Sequence, residues 1–75
     1  MAGISGKIDY VSIPIDGVIW ATQQAVQVQL YQGGAQWIPR RCLPKHIDDE
    51  IMPNEYNPLD EIKVARWFAE KEGLL

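Results

Sequence analysis

The sequence predicts a mainly β domain: a small curled antiparallel sheet or SH3-like barrel of four or five strands, finished by a short C-terminal helix. Three observations carry this. AVQVQLY, Ala25 to Tyr31, alternates with period 2. KIDYVSIPI and VIWAT are crowded with β-branched and aromatic residues, which suit a pleated, half-buried surface. The period then changes near Trp67, where RWFAEKE reads as two helical turns before Gly73.

The first strand is expected over Lys7–Ile15, with Pro14 forcing it to an edge or ending it. Asp16-Gly17 is a turn signal. Val18–Thr22 resumes the β pattern, and Gln23-Gln24 interrupt it. In the next strand Val26, Val28 and Leu30 point one way, and Gln27, Gln29 and Tyr31 the other. Gly33-Gly34 offers the positive φ angles of a two-residue hairpin loop. That loop sets Leu30 opposite Trp37 and Val28 opposite Pro39. Trp37 then joins the aliphatic face, and Ile38 and Arg40 join the glutamines.

Leu43–Leu59 is a long connection punctuated by Pro44, Pro53 and Pro58, with room for a helical turn over Lys45–Glu50. The last strand begins at Glu61, with Ile62 and Val64 on one face, and runs toward Trp67. Gly73 is placed to cap the helix, with Leu74 or Leu75 folding back. The expected core is Val26, Val28, Leu30, Trp37, Ile62, Val64, Trp67 and Phe68.

Seventy-five residues make a single domain, residues 1–75. A chain this short buries only ~60% of the surface its unfolded form exposes, so the core is thin. Cys42 is the lone cysteine, which excludes an intramolecular disulfide and suits a reducing compartment. Cys42 and His46 are too few for a structural zinc site. No apolar run approaches the ~20 residues of a membrane span, and MAGISGKIDY lacks the features of a signal peptide. The expectation is a cytoplasmic protein with no membrane partner.

The formal charge is −3, which argues against broad binding to phosphate backbones. Arg40, Arg41 and Lys45 form a local basic cluster. The segment from His46 to Ile62 then carries six acids and no Lys or Arg.

Two blocks, Trp37-Ile38-Pro39-Arg40 and Trp67-Phe68-Ala69 with Gly73-Leu74, resemble a group of short uncharacterised phage, plasmid and bacterial proteins. These share a W-I-P-[R/K] hairpin strand and a C-terminal W-x-A-x-x-x-G-L helix. The resemblance covers about half the chain. It implies a compact β-rich domain of mobile-element origin and carries no reaction. Arg41, Cys42 and Leu43 stand where that group has a serine and a short polar segment, so no binding residue is carried over.

Nothing points to an enzyme or a cofactor. Cys42 and His46 are four residues apart, but Pro44 between them interrupts the helix that would align a nucleophile with its base. Asp48-Asp49-Glu50 lack the alternating ligands and central glycine of a calcium loop. The expected function is therefore non-catalytic binding of a protein partner, or self-association, as a phage or mobile-element accessory or inhibitory protein. The expected contact residues are Gln27, Gln29, Tyr31, Ile38, Arg40 and Arg41, because interface centres are poor in charge and rich in aromatics and Arg. The alternative is a small β-barrel for single-stranded nucleic acid, stacking bases on Tyr31 and on Trp20, if outward-facing, beside Arg40, Arg41 and Lys45.

Overall fold

The computed structural model describes residues 9–75. A four-stranded sheet is built from β1 (Tyr10–Ala21), β2 (Ala25–Leu30), β3 (Ala35–Pro39) and β4 (Glu61–Ala65), in the order β3-β2-β1-β4. All three pairings are antiparallel. The sheet is not closed into a barrel: β3 and β4 are its two edges. A 3-10 turn (Arg40–Cys42), α1 (Lys45–Glu50) and α2 (Arg66–Lys71) complete the chain.

β1 is the axis of the molecule, and it departs from expectation. Lys7 and Ile8, the start of the expected first strand, lie outside the described residues. Asp16-Gly17 does not turn the chain. The strand runs straight through it as a bulge, with Ile15 opposite Leu30 and Val18 opposite Val28, so that two residues face Gln29. Gly17 takes φ 113°, an angle that side-chain-bearing residues rarely adopt. A second irregularity makes Ile19 the extra residue between Val18 and Trp20. The two together bury Val18 and leave Ile19 outside, where strict alternation would bury Ile19.

β1 also changes partners. Tyr10–Pro14 pair with β4 and Ile15–Ala21 with β2. Ile15 donates its N–H toward the β4 side, to the Asp60 carbonyl at 3.1 Å. The nitrogen of Pro14 therefore faces the other side, beyond the point where β2 has ended. The proline sits locally at an edge without ending the strand.

The β2–β3 hairpin has a different register from the expected one. Leu30 N–H donates to the Gly34 carbonyl at 2.9 Å, and Gly33 N–H to the Leu30 carbonyl at 3.0 Å. The loop is thus three residues, Tyr31-Gln32-Gly33, with Gly33 in the positive-φ position that follows a tight turn. Gln27 faces Trp37 and Val26 faces Ile38. The pairing is three residues away from the expectation, an odd slip, so every β3 side chain changes face. Ile38 is fully buried at 0% exposure, while Trp37 is 45% exposed. Trp37 therefore leaves the expected core and Ile38 leaves the expected contact surface. A branched aliphatic fits against Val26 within a thin core; an indole does not.

One face of the sheet forms the core. Ile13, Ile15, Val18, Val26, Val28, Ile38, Ile62 and Val64 are buried there under Cys42, Leu43, Ile51, Phe68 and Ala69. Each such Val or Ile contributes ~1.5–3 kcal/mol by leaving water. Leu30 is only partly buried.

β4 ends at Ala65, and α2 begins at once. Arg66 donates its backbone N–H to the Asp9 carbonyl at 2.8 Å and its Nε to the Asp9 carboxylate, tying the helix start to β1. Phe68 and Ala69 dock, whereas Trp67, also expected in the core, is 51% exposed and meets Phe68 edge-on with centroids 5.9 Å apart. Six helical residues present too narrow an apolar face to bury two adjacent aromatics. The helix closes as its sequence suggests: Gly73 takes φ 70°, Gly73 N–H donates to the Glu70 carbonyl at 3.3 Å, and Leu74 N–H to the Ala69 carbonyl at 2.8 Å. Leu74 then packs on the core.

The long connection is ordered. α1 forms over the expected Lys45–Glu50. Asn54 N–H donates to the Ala21 carbonyl, and Asn57 exchanges both backbone hydrogen bonds with Val18, so the chain runs beside β1 before becoming β4. No helix among the described residues is long and apolar enough to cross a membrane.

Candidate functional site

Packing uses one face of the sheet and leaves the other bare. On that open face Gln27 stands between Trp20 on β1 and Trp37 on β3, in a single cross-strand row. Residues directly opposite one another in antiparallel strands share a face. Trp20 is 44% exposed and Trp37 45%. The next rows along β2 and β3 are Ala25 with Pro39, and Gln29 with Ala35. None of these β2 and β3 positions carries a charge.

Tyr56 extends the aromatic surface. Asn57 bridges the buried Val18, so Tyr56, one residue earlier, projects to the opposite side, where it is 62% exposed. Its ring lies over the backbone of Gly17, where a Cβ would stand 2.8 Å from the phenolic oxygen. A glycine at this bulge thus gives the tyrosine its seat.

The expected contact residues do not form one patch. Gln27 and Gln29 lie on the open face, and Gln29 Nε2 is turned into the hairpin, donating to the Gly34 carbonyl at 2.9 Å. Tyr31 projects from the loop at the far end of the hairpin. Ile38 is in the core. Arg40 is engaged within the chain: Nε donates to the Thr22 carbonyl at 2.8 Å, and Nη1 to the Asp48 carboxylate at 2.8 Å and carbonyl at 3.1 Å. Its Nη2 is buried without a partner among the described residues. This guanidinium clamps the β1–β2 turn to α1. Arg41 is exposed, and Lys45 is paired with Asp49 on the surface of α1 at 3.2 Å.

Trp20 and Trp37 make a surface that pattern reading divides, assigning one to the core and the other to a conditional role. The signal that finds them is the three-residue loop, which turns Trp37 toward Trp20.

A cleft of about 190 Å³ lies at the other end of the hairpin, between Pro14, Leu30, Tyr31, Gln36 and the Glu72–Leu74 turn. It occupies the space that opens where β2 stops and β1 continues. Cys42 is buried, and burial, only partly offset by Arg41 and Lys71, pushes its thiol pKa up. A thiol held in its neutral form is a poor nucleophile. His46 is exposed on α1.

Comparison of the chain with family models, with curated proteins and with solved structures finds no match.

Proposed function

We propose that the chain is a non-catalytic binding domain whose open sheet face, the Trp20–Gln27–Trp37 row, engages a protein partner. The observation that supports this reading is the pair of half-exposed tryptophans in a cross-strand row without charge. Binding hot spots are enriched in Trp, and interface centres are depleted in charge. Gln27 between them supplies a donor and an acceptor that orient a partner. The proposed contact set is therefore Trp20, Gln27, Trp37 and Tyr56, with Gln29 at its border. Arg41 and Tyr31 lie at opposite ends of the hairpin and act at most as rim residues.

Single-stranded nucleic acid is the second reading, because exposed aromatics on a sheet also stack bases. The charge pattern disfavours it. Arg40 is occupied by Asp48, and no Lys or Arg lies on the open-face positions of β2 or β3.

The test compares the wild-type chain with a Trp20→Gln/Trp37→Gln variant and a Trp67→Gln control as baits in host lysate, alongside oligonucleotide titrations at low and physiological salt. Capture of a discrete protein that is lost only with the double variant supports the proposal. Equal capture by all three baits, or salt-sensitive oligonucleotide binding, would overturn it.

A further inference from the structure

The open face has a spacing that specifies more than a generic partner. Trp20 and Trp37 sit two strands apart across Gln27, a separation of about 9.6 Å at the ordinary inter-strand distance. A polyproline II helix rises ~3.1 Å per residue with three residues per turn, so its side chains repeat every ~9.3 Å on one face. A ligand in that conformation, laid across the strands, presents residues i and i+3 to the two indoles. Its intervening carbonyls come over Gln27, whose amide can donate to them. Polyproline II backbones have no internal hydrogen bonds and are recognised by aromatic surfaces bearing such donors.

Three further features select this occupant. The row and its β2 and β3 neighbours carry no charge, which matches a neutral proline-rich segment and neither a polyanion nor a polycation; the charges of this face, Glu61 and Lys63, lie on β4 opposite Pro14 and Ser12. It is small: each half-exposed tryptophan offers roughly 100 Å². A stable dimer buries ~800 Å² per partner, so the aromatic row is peptide-sized. The β3 edge is also poorly suited to adding a strand. The alternation set by Leu30–Gly34 and by Arg40 N–H to the Gln24 carbonyl turns the backbone groups of Ala35, Trp37 and Pro39 outward. There Gln36 Nε2 already donates to the Trp37 carbonyl at 3.0 Å, and Pro39 has no N–H to give. Recognition by this region therefore runs across the strands and not along the edge.

We infer that the Trp20–Gln27–Trp37 row is a docking site for a neutral, proline-rich segment of the partner in polyproline II conformation, with two of its residues three apart seated on the two tryptophans. This inference rests on the protein-binding reading of the same face.

The test is a ¹H–¹⁵N titration of the full chain with decaproline and with a Gly/Ser peptide of equal length. The three indole N–H signals are assigned by single Trp→Phe variants, so the binding measurement itself is made on the wild-type chain. Decaproline is expected to saturate with a Kd of about 10–1,000 μM. It should shift the Trp20 and Trp37 indole signals and the Gln27 side-chain amide while leaving Trp67 still; the Gly/Ser peptide should shift none. Trp20→Phe and Trp37→Phe should each weaken binding by about threefold or more, and Trp67→Phe should not.

No shift up to millimolar decaproline overturns the inference, as does a response confined to Trp67 or to the Leu30–Leu74 cleft. The broader reading fails separately. If lysate capture still depends on Trp20 and Trp37 while decaproline is silent, only the polyproline occupant is wrong. If sedimentation shows a dimer that the same tryptophans hold together and decaproline is silent, the occupant is a second copy.

Discussion

Gly17→Ala is the substitution whose cost the geometry resolves most fully. At φ 113° the residue lies outside the conformations that L side chains adopt readily, and such a placement costs ~1–3 kcal/mol. The new methyl would also stand 2.8 Å from the Tyr56 oxygen and 3.2 Å from two ring carbons, well inside van der Waals contact. Tyr56 is 62% exposed, so it yields by swinging outward and losing the part of its ring now in contact. At ~25 cal/mol per Å², surrendering roughly 75 Å² costs at most ~2 kcal/mol. Together these give ~1–5 kcal/mol, and at ~4–8 °C per kcal/mol a domain of this size loses ~4 °C or more in Tm.

Urea denaturation of the four members of a cycle (wild type, Gly17→Ala, Tyr56→Ala and the double variant) separates the two contributions. Gly17→Ala is expected to cost ~1–2 kcal/mol less once Tyr56 is gone, because only the backbone part remains. A Gly17→Ala protein as stable as the wild type would refute the bulge. Equal costs in both backgrounds would refute the seating of Tyr56 on it.

Three further outcomes follow from the same geometry. Ile38→Gln buries an amide at a position with 0% exposure and should cost ~4 kcal/mol or more, whereas Trp37→Gln leaves the domain folded; circular dichroism with urea melts decides this, and the reverse ranking would restore the two-residue loop. Arg40→Ala breaks the bonds to Thr22 and Asp48 and should cost ~1.5–3 kcal/mol, while exposed Arg41→Ala stays within ~0.5 kcal/mol; equal effects would refute the clamp. Because burial raises the Cys42 pKa, the unfolded chain gives up its thiol proton before the native one does. Stability should therefore decline as pH climbs through and above the ordinary thiol range, a decline absent from Cys42→Ala.

Elements whose structure depends on local chemistry were readable from the sequence. Gly73 with Leu74 announces the helix end, because a positive-φ glycine followed by an apolar residue satisfies the last carbonyls within a few residues. Lys45–Glu50 is fixed within a few residues, the Pro44 carbonyl accepting the first helical hydrogen bonds from Ile47 and Asp48. What escaped depends on counting residues across space. Gly33-Gly34 fits a two-residue loop as well as a three-residue one, and the choice is made by whether Trp37 or Ile38 can be enclosed beside Val26. Asp16-Gly17 carries the same chemistry in a turn as in a bulge; only the partner strands on either side of β1 distinguish them. The Trp20–Gln27–Trp37 row inherited both ambiguities, since it exists only in the observed register.

The partner change within β1 has a kinetic side. The β1–β2–β3 meander is assembled from two short turns, at Gln23-Gln24 and at Tyr31–Gly33, whereas Tyr10 must find Ala65 across most of the chain. Local pairings form early and distant ones late, so β4 and α2 should zip last and open first, a hierarchy that amide exchange can rank. Trp20, Gln27 and Trp37 all belong to the early-forming half. A chain whose C-terminal lane has come loose would then still present the row intact. Under the proposed function, the face offered to a partner would be the part of the sheet built from local pairings.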